Sequence, residues 1–226
     1  MFDKELKASS FSIVNRARGI IRRKLGVKNI KVGHAGTLDP LATGLLVICT
    51  GKKTKTITSI QDAEKEYTGT ITVGGTTPSY DLESEVTAGL PIDHISEEMI
   101  QETAESFVGE QNQMPPIFSA KQVDGKRAYE LARKGKEVKL KTKRIAIREF
   151  EIIDIRFGEM IEVDFRVCCS KGTYIRSLAH DFGQALKSGA YLSALRRTRI
   201  GDFKVEDAIT TEQFQFLLFG NEGPQK

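Results

Sequence analysis

One loop of this sequence contains a side chain whose type and setting could do chemistry. Within residues 33–46 a single carboxylate, Asp39, stands between Leu38 and Pro40, with Leu41 just beyond. Burying a carboxylate without a partner is costly, so Asp39 is either paired or functional. An Asp-Pro pair also suits an ordinary turn in which the aspartate bonds its own backbone, and local chemistry alone favours that turn.

Cysteine chemistry is not indicated. The three cysteines are Cys49, Cys168 and Cys169, and their spacing fits neither a disulfide framework nor a set of metal ligands. We interpret them as reduced, buried small side chains, and we expect no metal site.

Charge is segregated along the chain. Residues 1–58 contain 12 Lys and Arg against 3 Asp and Glu, and residues 121–204 contain 20 against 11. Residues 59–113 reverse the sign, with 1 against 12. Two basic segments that share one face could follow a phosphate backbone, although charge runs are equally often just solvated surface.

The elements that must position Asp39 alternate irregularly between helix and strand. A helix capped by Ser9 and Ser10 is predicted to bury Phe11, Val14, Ile21 and Leu25 and to end at Gly26. Further helices are predicted from Ser96 to Gly109 and over 127–134, 173–186 and 211–218. Strands are predicted over 30–32, 45–49, 65–73, 118–123, 138–147, 151–156, 161–169 and 192–199. This order predicts an α+β fold with helices flanking a sheet.

No stretch is apolar enough to cross a membrane, and the N-terminus is charged rather than an apolar signal. We therefore expect a cytoplasmic protein. At 226 residues the chain can bury one substantial core. We predict one main domain.

The Asp39 loop resembles the signature of the TruB family of tRNA pseudouridine synthases. Its residues 33–46 match the pattern Gly-His-x-Gly-Thr-Leu-Asp-Pro-x-Ala-x-Gly-Leu-Leu. Further stretches resemble the later family blocks in the same order: 65–67, 115–135, 169–179 and 195–203. The resemblance implies the pseudouridine synthase fold, with a mixed, mostly antiparallel central sheet. It implies that the main domain is a catalytic domain over residues 1–205, followed by a short helix and tail over 206–226.

The resemblance also implies a reaction and its residues. Uridine 55 in the T-loop of tRNA would be flipped out, its uracil detached from C1′, turned over and rejoined through C5, without metal or cofactor. Asp39 would be the catalytic carboxylate, whether it attacks C6, attacks C1′ or promotes a glycal-type elimination. Arg176 matches the arginine that pairs with the catalytic aspartate, and Tyr67 matches the tyrosine that stacks on the base and moves a proton.

Other matched positions imply contacts with the RNA. His34 corresponds to the histidine that enters the space left by the flipped base, and Tyr174 and Leu195 would line the base pocket. Four basic residues in the matched blocks suit phosphate contacts: Lys121, Arg127, Arg196 and Arg197. The expected partner is the T-arm stem-loop of tRNA, bound by a monomer that needs no protein partner.

Two departures from the family stand out. The usual opening strand Lys-Pro-x-Gly-x-Thr-Ser is replaced over residues 3–10 by a segment that keeps a lysine but lacks the proline and the glycine. The residues after Phe203 are too few for the C-terminal RNA-binding PUA domain of many members, so we expect a short form without a full PUA domain.

Three alternatives remain open. The RNA-guided branch of the same family shares the Asp39 loop but works inside a ribonucleoprotein. A non-catalytic RNA-binding protein could keep the fold, although the presence of Asp39, Tyr67 and Arg176 together argues against it. A glycosidase with a carboxylate pair is the most distant, because no second carboxylate stands in a matched block.

Overall fold

The computed structural model describes residues 1–116 and 141–220, together with the backbone of two short strands between them. Its strands in chain order are β1 (Phe2–Lys4), β2 (Val32–His34), β3 (Ala42–Leu46), β4 (Ile48–Thr50), β5 (Lys65–Val73), β6 (Gly75–Thr76), β7 (Thr87–Ala88), β8 (Gly109–Gln113), β9 (Gln122–Val123), β10 (Lys126–Arg127), β11 (Lys143–Arg156), β12 (Ile161–Cys169), β13 (Ala190–Ile200) and β14 (Phe203–Lys204). Its α-helices over the described residues are α1 (Ser10–Leu25), α2 (Ile57–Asp62), α3 (Glu97–Ser106), α4 (Ile175–Ala185) and α5 (Thr211–Phe219).

The chain divides into two units. The first comprises Met1–Tyr67 and Leu195–Lys226, and the second comprises Thr68–Ala194. Strands β5 and β13 contribute residues to both. The predicted division at residue 205 stays a prediction.

In the first unit, α1 begins and ends where the sequence predicts. The Ser9 side chain accepts a hydrogen bond from the Ser12 amide at 3.0 Å, and Gly26 ends the helix in the left-handed conformation. The predicted buried face is right only in part. Val14 is buried as predicted and Ile21 is half-buried, but Phe11 and Leu25 are exposed. The helix buries Ile13, Ala17 and Ile20 together with Val14.

Strand β3 is the centre of the first unit. It pairs antiparallel with β1 and parallel with β13, where Leu195 lies opposite Ala42. One apolar cluster packs Phe2 and Leu46 against Ile13 and Ala17 of α1. A second cluster surrounds Leu45, and its other buried members are Ala35, Val47, Ile200 and Val205. Strands β2 and β4 pair antiparallel, so the loop between β2 and β3 is framed by paired strands on both sides.

In the second unit, the strand order is β13-β5-β12-β11-β8. Strand β12 alternates as predicted, with Ile161, Val163, Phe165 and Val167 all buried. Helix α4 buries the predicted stripe at Ile175, Leu178, Ala179 and Phe182, followed by Leu186. Two strands are predicted over 138–147 and 151–156. Of the residues that the structure describes there, Lys143–Arg156 form one strand, β11, which pairs antiparallel with β12 and β8.

The predicted α+β class with a mixed, mostly antiparallel sheet and flanking helices is confirmed. The helix predicted over 127–134 and the side chains of Lys121 and Arg127 lie outside the described residues. Over the ranges that the structure describes, no helix is both long enough and apolar enough to cross a bilayer.

Candidate functional site

The loop that carries Asp39 is fixed through the backbone of its neighbours. Ser10 at the start of α1 bonds both backbone groups of Leu38: its hydroxyl accepts from the Leu38 amide at 2.8 Å and donates to the Leu38 carbonyl at 3.0 Å. On the other side, the Asp39 carbonyl accepts from the Ala42 amide at 3.1 Å, which closes a turn over Pro40. Asp39 itself is half-buried. The helix and the turn therefore hold this carboxylate at one place.

A buried lysine lies beneath the same loop. Lys4 is fully buried, and its Nζ donates to the carbonyl oxygens of Ala8 at 2.7 Å, Glu5 at 3.0 Å and Pro40 at 3.3 Å. Burial lowers the pKa of the Lys4 ammonium to about 8, while the charge of the Asp39 carboxylate acts in the opposite direction and raises it. Lys4 therefore supports the loop through hydrogen bonds and faces Asp39 as an opposite charge.

The divergent N-terminal segment still reaches the loop. The Lys7 amide donates to the Pro40 carbonyl at 2.8 Å. Lys7 has a φ of 65°, in the left-handed region that favours glycine, and it lies in the segment that lacks the family's usual glycine. The backbone thus keeps the required conformation at some conformational cost.

Arg197 is placed differently from the predicted phosphate contact. It is 1% exposed, and its guanidinium donates to the Leu45 carbonyl at 2.9 Å and to the Gly36 carbonyl at 3.1 Å. Gly44, at φ 99°, passes so close to this strand that an added Cβ would stand 2.3 Å from the Arg197 carbonyl oxygen. Arg197 therefore binds the protein's own backbone and joins β13 to the Asp39 loop.

Three other predicted residues lie in the first unit. His34 ends β2, and burial lowers the pKa of its half-buried imidazole, an effect to which the Arg197 charge adds. Leu195 lies on β13 opposite Ala42 of β3. Ala42 follows Asp39 by three residues in the sequence. Tyr67 lies on β5 and is 8% exposed. The first unit thus collects His34, Asp39, Tyr67 and Leu195, but their roles stay predictions.

Arg196 behaves as a surface residue. Its guanidinium forms a two-pronged ion pair with Asp3, with Nη1–Oδ1 and Nη2–Oδ2 distances of 3.0 and 2.7 Å, and its side chain is 40% exposed. Its side chain is accessible to solvent, unlike that of the buried Arg197, and its phosphate contact stays a prediction.

Arg176 and Tyr174 lie together in the second unit, at the start of α4. Arg176 is buried and pairs with the buried Asp81, at 3.3 Å between Nη1 and Oδ2, and Nη1 also donates to the Ser79 carbonyl at 3.3 Å. The buried amide of Gln113 bonds both backbone groups of Tyr174, at 2.8 Å to its amide and 3.0 Å to its carbonyl. Two polar partners therefore fix the beginning of this helix.

Sequence reasoning missed the supporting residues Asp81 and Gln113. Asp81 stands in the acidic segment 59–113, where one more carboxylate is not distinctive. Gln113 stands within residues 112–116, a proline-rich stretch that suggests only a break between elements. The supporting residue Lys4 could have been found from the sequence, because the N-terminal segment keeps the family's lysine.

Models of known protein families match most of the chain. A sequence model described as "TruB family pseudouridylate synthase (N terminal domain)" matches residues 22–175, which include the Asp39 loop and extend to the beginning of α4. The chain belongs to the TruB family of pseudouridylate synthases. A second model, "tRNA pseudouridylate synthase B C-terminal domain", matches residues 176–225. As a member of this family the chain is an enzyme of the isomerase class.

Close relatives within the TruB family come from several bacteria. A protein of Phocaeicola vulgatus named "tRNA pseudouridine synthase B" is 55% identical over 213 residues, which cover 94% of this chain and 89% of the relative. A protein of Flavobacterium johnsoniae with the same name is 54% identical over 219 residues, covering 96% of this chain and 94% of the relative. The similarity thus extends over nearly the whole of both proteins.

Solved structures of larger proteins share the fold. A Cbf5-Nop10-Gar1 complex contains a chain that is 29% identical with a TM-score of 0.68, covering 95% of this chain and 54% of that one. The structure of an H/ACA RNP bound to a substrate RNA containing 2′-deoxyuridine gives 28% identity and a TM-score of 0.65, covering 95% and 52%. The chain therefore spans about half the length of the solved proteins that it matches.

Proposed function

We propose that this enzyme converts uridine 55 in the T-loop of tRNA to pseudouridine, with Asp39 as the catalytic carboxylate. The observation that carries the proposal is the anchored Asp39 loop, held by Ser10, Lys4 and Arg197, in a chain 55% identical to a relative named tRNA pseudouridine synthase B. A catalytic group needs a fixed position, and here the neighbouring backbone groups are bonded on both sides of the carboxylate.

The reaction is an isomerisation and needs no net oxidation or reduction. The N1–C1′ bond of the uridine breaks, the uracil turns over, and a C5–C1′ bond forms. The proton on C5 then leaves, and N1 ends with a proton. An ionised carboxylate at Asp39 serves the bond-breaking step, whichever of the three routes it takes, because each of them begins from the charged form.

The lysine beneath the loop is part of the setting of this carboxylate. The Lys4 ammonium and the Asp39 carboxylate interact as opposite charges. In the proposed mechanism Lys4 acts through Asp39 and the Pro40 carbonyl, and it does not contact the RNA.

Other residues receive roles from the same proposal. Tyr67 stacks on the flipped base and its hydroxyl moves a proton at the sugar. Arg176, fixed by Asp81, supplies the cation that pairs with the catalytic aspartate. His34 enters the space that the flipped base leaves. Tyr174 and Leu195 line the base pocket, and Arg196, Lys121 and Arg127 contact phosphates.

A tritium-release assay tests the activity and its site. The purified chain is incubated with a tRNA transcript labelled at C5 of uridine, without guide RNA or added protein, and the product is mapped chemically for pseudouridine. We expect one modified site, in the T-loop, and no release from a matched transcript with cytidine at position 55. Modification at another position, or no release at all, would overturn the proposal.

The RNA-guided alternative has one observation in its favour, the fold similarity to chains solved in H/ACA assemblies. Activity that requires an added guide RNA would support it. Against it stands the higher identity, over most of both lengths, to relatives named as tRNA enzymes.

As part of the proposal the enzyme acts in the cytoplasm, and it acts as a monomer. Light scattering on the active preparation measures its mass in solution and so checks the monomer.

A further inference from the structure

A loop in the second unit contacts two successive turns of α4. Residues 79–84 follow β6, and two neighbours within them, Tyr80 and Asp81, meet residues that lie four positions apart on the helix. Asp81 pairs with Arg176, and the Tyr80 ring stacks on the His180 ring with centroids 4.0 Å apart and planes 12° from parallel. Positions i and i+4 share one helix face, so both contacts are made on the same face of α4.

The backbone of this loop is under strain at Tyr80. Its φ of 63° lies in the left-handed region, which is uncommon for a residue with a bulky side chain. Such conformations persist only where surrounding contacts determine them, and they concentrate at functional sites. Substituting glycine would relieve the strain, and yet a tyrosine stands here.

Contacts on three sides hold Tyr80 in that conformation. Its amide donates to the Thr77 carbonyl at 3.2 Å, and its carbonyl accepts from the Leu192 amide at 2.9 Å, where Asp81 also forms a parallel bridge with Leu192. The third contact is the stack on His180. Burial lowers the pKa of His180, so the neutral ring is the one stacked at neutral pH.

The same loop bonds itself around Asp81. The Ser79 hydroxyl donates to the Asp81 carbonyl at 3.1 Å, and the Glu83 amide donates to Asp81 Oδ1 at 3.0 Å. The other carboxylate oxygen, Oδ2, faces Arg176. The side chain of Asp81 is therefore oriented by its own loop, and the neighbouring contact of that loop with α4 is the Tyr80–His180 stack.

We propose that Tyr80 and His180 are positioning residues, whose stack sets the Arg176–Asp81 ion pair and thereby the rate of base isomerisation. This inference rests on the proposed role of Arg176 in the reaction. The stack acts through the ion pair, so its loss should slow the chemical step while leaving RNA affinity nearly unchanged. A stack that served only to pack the helix would instead lower stability without a selective effect on the chemical step.

Single-turnover kinetics on the tRNA transcript test this inference with matched variants. Tyr80→Gly removes the ring and relieves the backbone strain, and His180→Ala removes the other half of the stack. We expect each to slow the chemical step at least tenfold, with the Kd for tRNA within twofold of wild type. Tyr80→Phe and His180→Phe keep two stacked rings and should retain the rate within twofold. Near wild-type rates for Tyr80→Gly and His180→Ala would overturn the inference.

A double-mutant cycle shows whether the stack acts through the ion pair. If it does, Tyr80→Gly should cause little further loss when it is added to Asp81→Asn. If the rate losses of the two single variants multiply in the double variant, Tyr80 acts independently of the ion pair, which would contradict the inference. Should Asp81→Asn and Arg176→Lys both leave the rate intact, the proposed role of Arg176 fails instead, so the two failures are distinguishable.

A spectroscopic readout covers the case in which the variants are too slow to assay. The NMR signal of the Arg176 guanidinium reports its ion pair directly. In Tyr80→Gly it should move toward its position in Asp81→Asn, while far-UV circular dichroism stays that of wild type. An unmoved signal in a folded Tyr80→Gly protein would contradict the inference.

Discussion

The guanidinium of Arg197 donates a hydrogen bond to the Gly36 carbonyl at 3.1 Å, across 161 residues of sequence. The bond joins β13 to the loop that carries Asp39. A second bond from the same side chain, to the Leu45 carbonyl, fixes the strand that follows the loop. One buried charge therefore supports both ends of the segment with the proposed catalytic carboxylate.

Replacing this side chain should destabilise the fold. Arg197→Met keeps most of the volume but leaves two carbonyls without their donor, and a buried polar group that loses its partner costs about 1–3 kcal/mol. We expect a fall of about 2–4 kcal/mol in the free energy of unfolding, measured by urea denaturation. Arg196→Met, on the exposed neighbour, should cost no more than about 1 kcal/mol. Equal effects of the two variants would contradict the assignment of Arg197 to the interior.

Arg196 should affect RNA binding instead. A phosphate contact releases counterions, so its loss reduces the slope of log K against log salt concentration by about one. We expect Arg196→Ala to show this reduction, with a similar loss of affinity for T-arms of different stem sequence. Asp3→Asn, which releases Arg196 from its ion pair, should leave the slope intact. An unchanged slope in Arg196→Ala would remove Arg196 from the phosphate-binding set.

Arg196 and Arg197 also show where sequence reasoning stops. Successive residues of a strand point to opposite sides, so one of two adjacent arginines can be interior. Residue type predicts exposure for both, because an arginine is seldom fully buried. The acceptors of Arg197 are carbonyls that lie more than 150 residues away in sequence. No local pattern could therefore distinguish the two.

The elements themselves were predictable where burial is regular. Strand β12 has one buried face and a clean alternation, so its bounds and its inward residues were predicted correctly. Strand β11 was predicted as two strands because its register shifts against β12 between Ile147 and Glu149 and between Ile152 and Asp154, and such bulges interrupt the alternation. In α1 the exposed Phe11 and Leu25 imitated a buried stripe.

The proposed role of Asp39 makes a sharp prediction for its amide variant. Asp39→Asn should abolish tritium release while tRNA affinity stays within a few-fold, because the carboxylate makes and breaks bonds and the basic surface binds. Asp202→Asn, at an exposed turn of the same unit, is the matched control and should be fully active. Turnover by Asp39→Asn at a measurable fraction of the wild-type rate would remove Asp39 from the catalytic role.

Tyr67 should separate catalysis from binding. Tyr67→Phe keeps the ring and its stacking but loses the hydroxyl, so we expect a much larger loss in kcat than in RNA affinity. Tyr191→Phe removes the hydroxyl of another buried strand tyrosine, one that contacts Met160, and should leave kcat unchanged. A Tyr67→Phe enzyme with near wild-type kcat would reduce Tyr67 to a stacking platform.

The carboxyl group of Asp181 on α4 should make the free energy of unfolding fall as the pH rises. Burial raises the pKa of this carboxyl from its ordinary 3.8 to about 6. Between these two pH values the folded chain holds a proton that the unfolded chain has released. The free energy of unfolding therefore loses a contribution from Asp181 as the pH rises through this window, and the loss is complete above the folded pKa.

Asp181→Asn removes this loss, because an amide does not titrate. Relative to wild type, the variant should gain stability progressively from pH 4 to pH 7, by on the order of 2 kcal/mol. Urea denaturation at several pH values measures the difference, in which the contributions of His34 and His180 cancel because both chains contain them. A difference for Asp181→Asn that stays flat, or that falls with pH, would show that the folded protein holds this carboxyl ionised at little cost.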